Sequence, residues 1–246
     1  MNLRVSCLLV LLSSLVPSMY AKSCTLATVA GSYAVASIGS EAGSNGVALF
    51  LGTNNAGSFS GAGAENIGGT PYPSVTASGT YSVGTDCTFT STTTDSMGNT
   101  FNISGDIIEN GNEIVGISTD SGTSLQFTAY RLKKTLCTEA SAAGAYVHSA
   151  RYLITPYGPE IVIEHETVTS KGAVSGSWVG NFSGTIVAGT STGTVSVNSN
   201  CTGTTTVINS PGGTADWFVI HGIMQNGVAS AAIRIDSGYV GLSTNY

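Results

Sequence analysis

The chain is short of charge, and that shortage excludes whole classes of partner. Asp, Glu, Lys and Arg make up only 9% of 246 residues, with 8 basic against 14 acidic side chains and a formal charge of −6. Beyond Arg131, Lys133 and Lys134 there is no basic cluster. Nucleic acid and anionic membrane both need a positive surface, so neither is an expected partner. No segment approaches the roughly 18 consecutive apolar residues that cross a bilayer as a helix, so no membrane insertion is expected. Helical patterning is almost missing. The sequence holds no CxxC, HxH or HExxH, which leaves zinc-finger, thioredoxin-like and zincin chemistry without a motif. An all-β reading offers no strand-to-helix turn to hold a nucleophile elbow, and Gly61-Ala62-Gly63 has no helix after it to cradle a phosphate. No metal and no cofactor is expected.

What is present is written twice. Cys24 and Cys87 stand 63 positions apart, Cys137 and Cys201 stand 64 apart. Gly31-Ser32-Tyr33 returns as Gly144-Ala145-Tyr146, and Gly79-Thr80-Tyr81-Ser82-Val83 returns as Gly193-Thr194-Val195-Ser196-Val197. Asn110-Gly111 returns as Asn226-Gly227, and Asp120-Ser121-Gly122 as Asp236-Ser237-Gly238. The fifth cysteine, Cys7, lies in a stretch that reads as a secretory signal: Arg4, then apolar Val5 to Val16, then Pro17-Ser18 with Ala21 last before cleavage. Residues 1–21 are therefore expected to be a signal peptide, with one repeat over 22–134 and the other over 135–246. The mature protein is expected to be extracellular or periplasmic. Four cysteines allow three pairings. The duplication favours Cys24–Cys87 and Cys137–Cys201, one bridge inside each repeat.

β-branched and aromatic residues, 32 glycines and short alternating runs ending at Gly, Asn or Asp give a strand-and-hairpin pattern. Eight such runs fall in each repeat. Asn110-Gly111 has the chemistry of a tight type I′ hairpin. Eight hairpin-linked strands laid flat would leave two bare edges, and closure removes both. The expected fold is all-β, two tandem eight-stranded antiparallel up-and-down β-barrels, with a pair of β-sandwiches as the alternative.

All three histidines and both tryptophans fall in the second repeat. Aligned by offset, the first repeat has Val35 for His148 and Gly105 for His221. Strand alternation puts His165 on a face with Ile161 and Ile163, His221 with Trp217 and Val219, and His148 with Tyr146 and Tyr152. Tyr146, His148, Tyr152, His165, Trp178, Trp217 and His221 are therefore the candidate lining of a ligand site in the second barrel. Glu164 and Glu166 share the opposite face, where a solvated outer surface is expected. No catalytic residue is assigned.

The segments Gly79 to Thr88 and Asn110 to Gly122, echoed by Gly193 to Gly203 and Asn226 to Gly238, resemble a group of secreted proteins. Those proteins have barrels similar to allene oxide cyclase and dirigent proteins. The resemblance covers about the second half of each repeat. It implies an eight-stranded antiparallel barrel that holds a small apolar or phenolic molecule without a metal. Three functions follow as expectations: a barrel binding a small apolar or aromatic ligand, a non-catalytic surface or matrix protein, or a metal-free isomerase or cyclase. The oligomeric state is left open.

Overall fold

The computed structural model describes residues 23–41, 43–133, 136–154, 158–225 and 228–246. The expected signal segment and the expected Asn226-Gly227 turn lie outside them. Sixteen strands form two closed barrels, each an antiparallel meander whose last strand pairs with its first. The first barrel is β1 (Gly31–Glu41), β2 (Ser44–Asn55), β3 (Ser58–Ile67), β4 (Thr70–Val83), β5 (Thr88–Asp95), β6 (Thr100–Ile108), β7 (Glu113–Ser118) and β8 (Thr123–Arg131). The second is β9 (Gly144–Ile154), β10 (Glu160–Val168), β11 (Ala173–Phe182), β12 (Thr185–Val197), β13 (Thr202–Ser210), β14 (Thr214–Gln225), β15 (Val228–Arg234) and β16 (Val240–Asn245). Closure satisfies every strand edge internally, which suits a chain with few charges to blunt an edge. The Asn110-Gly111 turn has the positive φ expected of it, at 63° and 82°, but Glu109 joins them at 50°. The result is a short 3-10 turn rather than a two-residue hairpin.

Each barrel is plugged at one end by its own disulfide and a 3-10 turn. Cys24–Cys87 and Cys137–Cys201 are bonded, as the duplication favours. Such bridges fit an oxidising, extracellular-type compartment. Leu26–Val29 in the first barrel and Glu139–Ala142 in the second cap the mouth, burying Val29 and Ala142. In the first barrel Tyr33 donates its hydroxyl to the Gly111 carbonyl at 2.6 Å, and Arg131 donates to Tyr33 and to the Thr28 carbonyl. That network seals the plugged end.

The two barrels share one apolar cluster. Ala34, Ala36, Val47, Leu49 and Ala64, on the outside of β1–β3, pack with Ile220, Ile223, Ala231 and Ile233 of the second barrel. Asn66, fully buried, donates to the carbonyls of Arg234 and Asp236 at 3.1 and 3.2 Å. Gly238 donates to the Gly69 carbonyl, and Lys133 to that of Gly222. An outer face of the first barrel is thus as buried as a core.

Candidate functional site

Cross-strand register places the same five positions in a belt around the inside of each barrel. In the first barrel Ile107 opposes Ile114, which opposes Ala129, then Val35, then Phe50. The belt is wholly apolar. Around it lies a cavity of about 110 Å³, which Phe50, Phe59, Phe89, Phe101 and Phe127 help to line. It runs from above the disulfide plug towards the hairpin end at Ser44, Ile67 and Leu125. Polar groups are few on its wall: Ser37, Ser91, Thr93, Asn54, Glu65 and Asp95 among them. Asp95 is already committed, accepting from the backbone of Met97 and Asn99 and from the Asn99 amide.

In the second barrel the same positions read His221, Ser230, Asn245, His148 and Glu164. An apolar belt has become a polar one. His148 Nδ1 lies 3.7 Å from Glu164 Oε2, and the ring meets the Trp217 indole edge-on at 5.3 Å between centroids. Ser191 donates to the other Glu164 oxygen. Gly176 makes room for this pair, since a Cβ there would lie 2.5 Å from Glu164 Oε1 and 2.8 Å from Ser191 Oγ. Two residues along the same face of β10, Glu166 is buried as well. Burial and then the neighbouring Glu164 push the Glu166 carboxyl up to about 7, and burial holds both His148 and His221 down to about 4. The hairpin end is filled by Arg234, which is paired with Asp236 and lies over Tyr239, Trp217 and Tyr152 at 4.3, 5.6 and 5.9 Å. These side chains fill the end that corresponds to the open hairpin end of the first barrel's cavity.

No family model, no curated protein and no solved structure matches this chain. Its chemistry is read from its own residues.

Six of the seven candidate residues lie on the inward side of the second barrel: His148, Tyr152, Trp178, Trp217 and His221, with Tyr146 at the plug donating to the Ala142 carbonyl. His165 does not join them. It is exposed on the outer surface with Ile161 and Ile163, while Glu164 and Glu166 point inward. The phase of β10 is thus the reverse of the one its apolar residues suggested, and the carboxylates expected in solvent are inside. The physical reason is pairing: Glu164 is opposed by His148 on one side and Trp178 on the other, both inward. A one-residue slip would turn all three strands' neighbours out of phase. The counterpart of His221 is also corrected, from Gly105 to Ile107. Ile107 donates to the Cys87 carbonyl just as His221 donates to that of Cys201.

The carboxylates could have been found from the duplication. The register aligns Glu164 with Phe50 and Glu166 with Gly52. Phe50 faces the cavity, so its counterpart must face inward too.

Proposed function

We propose that this is an exported, disulfide-stapled tandem barrel that binds a small apolar or aromatic molecule in its first barrel. The carrying observation is the Phe-lined cavity of about 110 Å³. An apolar cavity of about 150 Å³ is large enough to stay dry and take up benzene, so a ligand on the scale of one aromatic ring or a short aliphatic chain is the match. The site shifts from the second barrel, favoured by its histidines and tryptophans, to the first. The second interior is occupied by its own Tyr152, Trp178, Trp217 and Arg234. Export is supported by the leader-like residues 1–21 and by the two disulfides. The likeness of the hairpin segments to allene oxide cyclase-like and dirigent-like barrels, which hold apolar or phenolic molecules, supports the same reading.

Calorimetric titration with benzene, phenol and indole tests it directly. A ligand at about 100 times its Kd should raise stability by about 2.7 kcal/mol. Phe50→Trp, which fills the space, should abolish the effect. Absence of any heat or thermal shift up to millimolar ligand would overturn the reading. Both tryptophans sit in the second barrel, so native fluorescence should stay unchanged as the first barrel fills.

A further inference from the structure

The inward turn of β10 creates a site that the apolar cavity does not explain. We propose that His148, Glu164 and Glu166 form a divalent-cation site on the inner wall of the second barrel, with zinc the best chemical match. Their donor atoms lie within 4.8 Å of one another. An ion at the centre of a triangle with such edges sits no more than ~2.8 Å from each corner, against the roughly 2.0–2.2 Å of zinc–nitrogen and zinc–oxygen bonds. Small side-chain closures bridge the difference. One imidazole and two carboxylates suit zinc, with a water or the Ser191 hydroxyl completing four ligands.

The second observation is the lack of any other partner. Glu164 has the Ser191 hydroxyl, but among the described residues nothing donates to Glu166, which is only 7% exposed. His148 turns its Nδ1 toward Glu164 Oε2 at 3.7 Å, too far for a hydrogen bond. The interior cation Arg234 is held at the hairpin end by Asp236 and the Thr214 carbonyl. At matching positions the first barrel has Val35, Phe50 and Gly52, so the cluster is not a requirement of the fold.

The test uses the full chain without a histidine tag. Metal analysis and zinc titration should give one equivalent per chain, and zinc should raise the melting temperature. Glu166→Gln, close to isosteric, should weaken binding at least tenfold, the range seen when even an outer partner of a ligand is removed. His148→Ala should do the same. His165→Ala, on the outer surface of the same strand, should keep the full stoichiometry. Wild-type protein that takes up no zinc overturns the site, as does binding that survives Glu166→Gln. Loss of binding in His165→Ala also overturns it, because the metal would then be adventitious on the surface.

Discussion

The two barrels share topology, bridge and register, yet one is lined by Phe around a cavity and the other by His, Glu, Trp and Arg side chains. Their belts differ at every position: Ile107, Ile114, Ala129, Val35 and Phe50 against His221, Ser230, Asn245, His148 and Glu164. The scaffold is held by backbone pairing and a plug, neither of which depends on the belt. Interior side chains are therefore free to diverge. A cavity persists where rings meet apolar neighbours and leave space between them. In the second barrel Trp178, Trp217, Tyr152 and Arg234 turn into the interior instead.

The contrast can be broken in several ways. Trp217→Ala should have the largest effect, a loss of up to ~5 kcal/mol for a buried aromatic, and should open in the second barrel a space like that of the first. Urea unfolding followed by circular dichroism measures it, and a loss below ~1 kcal/mol would mean the second interior is not packed around this ring. Removing either disulfide should cost about 4 kcal/mol, the loop-closure value for bridges of 63 and 64 residues. The similar loops predict similar losses, and strongly unequal melting of Cys24→Ala/Cys87→Ala and Cys137→Ala/Cys201→Ala would break the symmetry.

Acid separates the barrels next. His221 is held at about 4 by burial, below its ordinary value of about 6.5. Its folded pKa is depressed, so the unfolded chain takes up the proton first. The second barrel is then fully stable above about pH 6.5 and loses as much as ~3 kcal/mol as pH falls through about 4. His221→Ile, which copies Ile107, should flatten that part of the pH–stability curve. An unchanged curve would show that the imidazole is not buried neutral. The smallest effect is expected in the first barrel. Ala77→Val adds methyl groups on the cavity wall, opposite in role to Ser191, and should stabilise by about 0.5–1 kcal/mol while weakening aromatic ligands. Loss of stability instead would show that the wall is already tightly packed.

Much of this was legible in the chain. The repeats fixed two units, cysteine spacing gave the bridges, and the strand count with its edge problem pointed to closed barrels. The inward set was harder. His148 and His221 were found by alternation within strands of one clear polarity. β10 misled because its apolar Ile161 and Ile163 lie on the outer surface, while Glu164 and Glu166 face the interior.

By itself, then, the order of residues determined strand periodicity, duplication and covalent pairing, because these are local or depend on spacing along the chain. Only the folded molecule decided which side of β10 turns inward, which interior keeps a cavity, and that Glu164, Glu166 and His148 converge. Those outcomes depend on register between strands and on volumes filled from opposite walls, and neither is written in any one segment.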